Sequence, residues 1–359
     1  MRLETYRIAA APPSLRSLFD RQMLPEGRWE WFEILAATTL SDREEAVVMT
    51  LVDDAGLPLS AIPAVFLEGH AVRGLTSPFT TLFSIPLGTE ENAKSLGRLL
   101  AAKIGATFRL DALDVGPASH AFANGLEEGG LTVARFRHFA NWFERIDDFS
   151  RYWGSRGSQL KSTVKRKSAS LSRDGRLVLN FVDLKAGWRE GAAIYKGIYA
   201  QSWKPPEPHP HFMDALLEKL GASGIARLAV AWVDDKPAAA QIWLVQDHRA
   251  TIFKLAHDPV FDRLSVGTLL THWILQQLHD KEGVREVDFG RGDDAYKRLW
   301  LGARRDRHGL LAANPRSFKG LVTILRDILP SRISNILRSR QAASTASLVR
   351  PMTVENRHA

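Results

Sequence analysis

The sequence contains no cysteine. That absence removes disulfides, thiol nucleophiles, iron–sulfur clusters and cysteine-ligated zinc together, and it suits a reducing compartment. No apolar run approaches the roughly 20 residues that a bilayer-crossing helix needs. The first twenty residues carry Pro12 and Pro13 but lack the apolar core of a secretory signal. The expected location is therefore cytoplasmic, or peripheral at the inner face of a membrane. Of 359 residues, 45% are hydrophobic and 25% charged, which excludes an intrinsically disordered chain. At roughly 100–200 residues per domain, two domains are expected.

The net charge of +8 is concentrated. Residues 151–176 hold eight basic residues and one acid, and residues 315–340 hold six and one. The remainder is mildly acidic, so the charge marks two segments and not the whole protein.

Residues 47–52 and 57–67 read as strands around the turn Asp53-Asp54-Ala55-Gly56. Leu96, Leu99, Leu100 and Ile104 fall at helical spacing within 90–105, with Gly105 as the stop. Residues 107–113 form a strand containing Asp111, 131–139 add another, and 141–148 leave the unit. The second half repeats this order. Strands 225–233 and 238–245 flank Asp234-Asp235-Lys236-Pro237, and 249–256 follow as a third. Residues 265–282 form a helix with an apolar stripe at Leu269, Leu270, Trp273, Ile274 and Leu278, stopped by Gly283. Residues 284–289 are then a strand bearing Asp288. The separations Val52 to Val233, Gly105 to Gly283 and Asp111 to Asp288 are 181, 178 and 177 residues. Such an offset predicts two copies of one α/β unit, the alternative being two common runs that coincide. Between the halves, 158–171 reads as a solvated basic helix whose sizeable apolar residues are Leu160, Val164 and Leu171. Two more helices, 188–203 and 212–220, flank a proline-rich loop at 204–211.

Two stretches carry chemistry. In Ser265-Val266-Gly267-Thr268, Ser265 is a candidate N-cap and the free amides of 266–268 face an anion, with Gly267 admitting a ligand to the backbone; the alternative is an ordinary capped helix. In Asp288-Phe-Gly-Arg-Gly-Asp-Asp-Ala-Tyr-Lys297, a strand end runs into a glycine-rich turn crowded with ionisable groups. Asp293, Asp294, Tyr296 and Lys297 are candidates for proton transfer or oxyanion stabilisation, and Asp288 and Arg291 for holding substrate. The alternative is a connection in which Asp293 or Asp294 caps the next helix. Trp203, beside the proline-rich loop, is a candidate cleft residue. His209 and His211, two histidines in a proline-rich loop, fall short of a metal site, and no metal is expected.

With the repeat, these stretches resemble the tandem GNAT acyltransferases of the FemAB-like group, and more narrowly the acetyltransferase domain of CelD-type cellulose-biosynthesis proteins. That group's Ser-x-Gly-x-Leu-Leu helix start stands here as Ser265-Val-Gly-Thr-Leu-Leu270. Its Gly-Asp-x-x-Tyr-Lys signature stands as Gly292-Asp-Asp-Ala-Tyr-Lys297. The resemblance covers roughly residues 20–310. One departure is plain: where the general GNAT loop reads Gln/Arg-x-x-Gly-x-Gly/Ala, this chain has Asp262-x-x-Ser265-x-Gly267.

The resemblance implies an α/β (α+β) fold of two tandem GNAT-like units, each a mixed, mainly antiparallel sheet flanked by helices. Residues 1–148 are then a degenerate unit walling the acceptor cleft, and 149–312 the unit with the donor site. Residues 313–359 are a basic amphipathic helix and, after 341, a disordered tail; Leu321, Leu325, Ile328, Ile333, Ile336 and Leu337 with Arg326, Arg332 and Arg338 give it a face for a membrane surface or for packing on the domain. The implied donor is acetyl-CoA or another acyl-CoA, with its pyrophosphate at the amides of 265–268. An amine or hydroxyl acceptor, small or a glycan precursor of an envelope or exopolysaccharide, would attack directly, since no thiol is present. An alternative keeps the fold but uses aminoacyl-tRNA, held by the basic helix, to extend a peptidoglycan-type precursor. A third is a non-catalytic nucleic-acid- or membrane-binding protein. Nucleic acid is expected only as tRNA, because no aromatic residue interleaves the basic helix.

Overall fold

The computed structural model of the chain describes residues 1–173 and 175–330. Ile333, Ile336, Leu337, Arg332, Arg338 and the disorder expected after 341 lie outside the described residues. Among the described residues, twelve strands join one sheet. The first six are β1 (Arg2–Arg7), β2 (Glu45–Val52), β3 (Pro58–Leu67), β4 (Ala71–Gly74), β5 (Thr107–Leu113) and β6 (Thr132–Arg145). The others are β7 (Leu177–Val182), β8 (Ala226–Val233), β9 (Lys236–Gln246), β10 (Arg249–His257), β11 (Glu286–Arg291) and β12 (Ala303–Ala313).

Their order across the sheet is β1-β2-β3-β4-β5-β12-β6-β11-β10-β9-β8-β7. Each half contributes an antiparallel run closed by one parallel pair, β4 with β5 and β10 with β11. The last strand of each half is exchanged. β6 pairs with β11 of the second half, and β12 pairs with β5 of the first. The two exchanged strands run antiparallel to each other from Thr132↔Ala313 to Phe143↔Ala303. This exchange corrects the expected exit at 141–148: the strand continues to Arg145 because its far end serves the other unit.

The repeated elements otherwise fall where the offset puts them. The Asp234-Asp235 turn takes left-handed φ values of 49° and 61°, as a two-residue hairpin requires. β8 and β9 are buried on both faces, which explains their near-continuous apolar sequence. Leu228 and Val230 pack with the helices Leu184–Gln201 and Phe212–Ala222, while Ala229, Ala231 and Val233 pack with the helix Val266–Glu282. The halves also share a core, with Trp31 edge-on to Phe212 at 5.7 Å. Gly105 is not the helix stop. That helix spans Glu90–Ala101, and Gly105 instead lets His70 approach, since a Cβ there would lie 2.6 Å from His70 Cβ. β1, β4, β7, β12 and the helices Pro13–Asp20, Trp29–Thr38 and Pro117–Glu128 carried no reading from sequence.

The helices Glu90–Ala101 and Pro117–Glu128 touch backbone to backbone. A Cβ on Gly97 would sit 2.3 Å from the Phe122 carbonyl oxygen, and one on Gly125 would sit 2.0 Å from that of Lys94. Gly125→Val is expected to cost about 2–3 kcal/mol by overpacking. A lower urea midpoint for this variant than for Gly154→Val, whose added Cβ meets open space, is the check.

Candidate active site

The parallel ladder between β10 and β11 ends at Thr251 and Asp288. Beyond it β10 stays with β9 and β11 turns to β6, so the strands part. A cleft of about 240 Å³ opens in the gap. Ile252–Leu255 form one wall and Phe289, Gly290 and Arg291 the other. Pro78, Phe79 and Thr81 of the first half close it, and Lys204, Asp294, Tyr296 and Lys297 complete the lining.

The glycine-rich turn puts its residues to different uses. Lys297 is almost wholly buried, and its Nζ donates to the carbonyls of Arg291 at 2.5 Å and Gly292 at 3.4 Å while pairing with Asp294 at 3.3 Å. Burial lowers its ammonium pKa, against the pull of Asp294. The Asp294 carboxylate is open to solvent in the cleft. Tyr296 lies against Phe289; burial of its phenol and the charge of Asp294 raise its pKa, so it stays protonated and able to donate. Asp293 leaves the cleft. It accepts from Trp142 Nε1 at 2.7 Å, a bond that chiefly lowers its pKa, and lies 3.6 Å from Arg298 and Arg304. Of the two acids the sequence left equivalent, only Asp294 lines the cleft.

Asp288 also departs from the expected substrate-holding position. Its carboxylate is buried among four strands: it accepts from Asn141 Nδ2 at 2.6 Å, the Gly290 amide at 2.7 Å, Arg249 at 2.5 Å and Arg305 at 2.7 Å. Burial would raise its pKa, but the guanidiniums of Arg249, Arg305 and Arg307 outweigh it and hold the carboxyl below the ordinary range. Asp288 positions the strand end; it does not face the cleft.

Sequence reading missed Lys204. Its Nζ donates to the Leu255 carbonyl at 2.5 Å inside the cleft. Burial, with repulsion from Lys254 behind it, holds its pKa down to about 8. Lys254 pairs with Glu207 at 2.8 Å and stands over the Phe79 ring. The signal in the sequence was faint: a lysine opening a proline-rich loop beside Trp203. Trp203 itself is exposed, packs on His257 at 4.6 Å and does not line the cleft.

β10 leads through His257 to the Val266–Glu282 helix, whose entry corrects the expected cap. Ser265 is left-handed, with φ 57° and ψ 36°, and its side chain makes no capping bond. The amide of Thr268 is already bonded to the Ser265 carbonyl at 3.0 Å, which leaves Val266 and Gly267 as the amides for an anion. The left-handed turn explains why the general loop pattern has glycine where this chain has Ser265. A Cβ on Gly267 would meet only His257 Nδ1, at 3.8 Å, so the space over it is open. Asp262, the unusual carboxylate, is held by His257 Nε2 at 2.7 Å.

A second cleft of about 480 Å³ adjoins the first through shared walls at Pro78 and Arg291. It opens beyond the β4–β5 pair and is lined by Arg73, Ser77, Asp111 and His138 among others. His138 Nδ1 accepts the Ala112 amide at 3.0 Å, and its Nε2 lies 3.1 Å from Arg291. His209 lines this cleft too, yet no group of three His, Asp or Glu among the described residues is arranged to hold a metal ion.

A parallel pair that parts over a cleft, with a helix entering beside it, defines a class. Residues 158–298 match the acetyltransferase (GNAT) domain family. The chain is similar in fold to FemX, at 10% identity and TM-score 0.59, covering 90% of this chain and 99% of that one. It is similar to the C-terminal domain of a protein described as a lysylphosphatidylglycerol synthetase from Agrobacterium fabrum, at 15% identity and TM-score 0.53, covering 87% and 94%. A Bacteroides thetaiotaomicron protein of unknown function has TM-score 0.56 at 11% identity, covering 87% and 99%. No curated protein matches the chain. The chain is an enzyme of the GNAT type with the expected mixed, mainly antiparallel α/β architecture.

Proposed function

We propose that the protein transfers an acyl group from an acyl-CoA, acetyl-CoA first among them, to an amine or hydroxyl. The observation that carries this reading is the open space over Gly267, at a helix start whose Val266 and Gly267 amides are unspent, beside the parting of β10 and β11. The donor's pyrophosphate would lie at those amides and its thioester in the first cleft. The acceptor would enter from the second cleft, past Arg291. Its nitrogen or oxygen attacks the thioester carbonyl; the new C–N or C–O bond forms as the C–S bond breaks. The acceptor's proton goes to Lys204 in its neutral form or to Asp294, and Tyr296 returns one to the departing thiolate. In this reading residues 1–148 serve the acceptor and 149–312 the donor. The CelD-type resemblance favours an envelope or exopolysaccharide precursor as acceptor.

A second reading rests on the Ser158–Arg173 helix, which packs on the Val266–Glu282 helix through Val164, Leu171 and Leu269 and exposes Lys165, Arg166 and Arg173. That surface suits the acceptor stem of an aminoacyl-tRNA. Calorimetry with acetyl-CoA, longer acyl-CoAs and a charged tRNA separates the two. Saturable binding of a CoA ester is expected, lost in Gly267→Trp with the melting temperature unchanged. Binding of the tRNA alone selects the second reading, and binding of neither overturns both.

A further inference from the structure

The helix Phe318–Thr323 continues through a wider turn at Ile324–Ile328 and faces two ways. Ile328 and the half-buried Ile324 pack on Ala134, Leu311 and Ala313, and this fixes the helix to the sheet. The opposite face is apolar and open: Phe318 is 85% exposed, Leu325 66%, Leu321 45%, and Val322 and Leu329 41% each. These five recur at spacings of three, four and seven, a continuous stripe rather than scattered residues. The flank is cationic. Arg316 and Lys319 are exposed and have no ion-pair partner among the described residues, while Arg326 pairs only with its neighbour Asp327. Beside the helix runs a groove of about 630 Å³. Leu67, Val72, Phe136 and Leu311 floor it, and Arg73, Arg109, Lys319 and Arg326 border it, with Asp327 as the acid at its edge.

We propose that this helix face docks on an anionic lipid bilayer. An apolar stripe with cations along one side fits the boundary between acyl chains and phosphate headgroups, where each half meets its own solvent. The cations select the occupant: a second copy of the chain would oppose Arg316 and Lys319 to themselves, whereas phosphates neutralise them. No helix among the described residues is long and apolar enough to cross a membrane, so the contact is peripheral. Arg73 lines both this groove and the second cleft, and docking would therefore hold the acceptor cleft near the lipid surface.

Co-sedimentation of the full chain with vesicles is the test, using phosphatidylcholine alone and with about 30 mol% phosphatidylglycerol. Binding is expected only to the anionic vesicles, weakening as salt rises. Phe318→Asp with Leu325→Asp should reduce it at least tenfold and leave acyl transfer to a soluble acceptor unchanged. Lys319→Glu should weaken it by about fivefold or more. Both sites are on the surface, and an unchanged melting temperature checks that the variants fold. Equal binding to neutral vesicles, or binding indifferent to these substitutions, overturns the proposal. So does concentration-dependent dimerisation abolished by Phe318→Asp without vesicle binding, which assigns the face to a second copy.

Discussion

Asp288→Ala is expected to destabilise the protein by about 3–5 kcal/mol, the cost of removing one partner from a buried ionic cluster. The carboxylate is 1% exposed and ties β11 to Asn141 on β6, Arg249 on β10 and Arg305 on β12. Its loss removes the one fully buried counter-charge that Arg249, Arg305 and Arg307 share, at the junction where the two units exchange strands, and leaves them the partly exposed Glu286 and Asp114. Asp288→Asn keeps the shape and the amide bond to Gly290 but not the charge, and should fall between. The pH dependence follows from the direction of the shift. Asp288 has a folded pKa below its unfolded value, so its contribution is complete above the unfolded value of about 4 and fades as pH falls through the folded one. The urea midpoint of Asp288→Ala should thus lie below wild type by a constant amount from neutral to alkaline pH and converge with it only in acid. Equal midpoints at neutral pH would show that water replaces the missing carboxylate.

The parts of the fold that depend on local pattern were legible in the sequence. The apolar run of β8 and β9, the Asp234-Asp235 turn and the stripe from Leu269 to Leu278 each follow from burial or turn chemistry within a few residues. The constant offset of Asp111 and Asp288 located the two strands that close the parallel pairs. The exchange of β6 and β12 was not legible, because pairing partners such as Asn141 and Arg305 lie 164 residues apart and neither marks its destination. The helix start at Gly267 and the turn that carries Lys297 into the cleft were legible because helix starts and glycine-rich turns have sequence signatures. Asp293 and Asp294 stayed equivalent because one residue's rotation along the turn decides which faces the cleft and which faces Trp142. Ser265 was taken as a cap because its type suits one; its left-handed backbone leaves the side chain without a capping bond.

Lys204→Met is expected to lower kcat by roughly 10²–10⁴-fold, the range for loss of a positioned general base. Nζ is held inside the cleft on the Leu255 carbonyl, and desolvation together with Lys254 brings its pKa to about 8. A lysine so placed is partly neutral near physiological pH, and only the neutral amine can accept the acceptor's proton. Acylation by wild type should therefore rise with pH and level off above about 8, since protonation of Lys204 is what limits it below. Asp294, a carboxylate open to solvent, is the other candidate base in the cleft. If it takes the proton, Asp294→Asn carries the loss and Lys204→Met does not. Lys204 has one more possible use, as a fixed cation for the donor; then Lys204→Met raises KM with kcat intact, and Lys204→Arg restores it. A base is not rescued by arginine, whose guanidinium stays charged at every pH of the assay. The three assignments thus diverge in kcat, in KM and in the slope of the pH profile, and only the base assignment predicts that Lys204→Met removes the rise with pH while sparing KM.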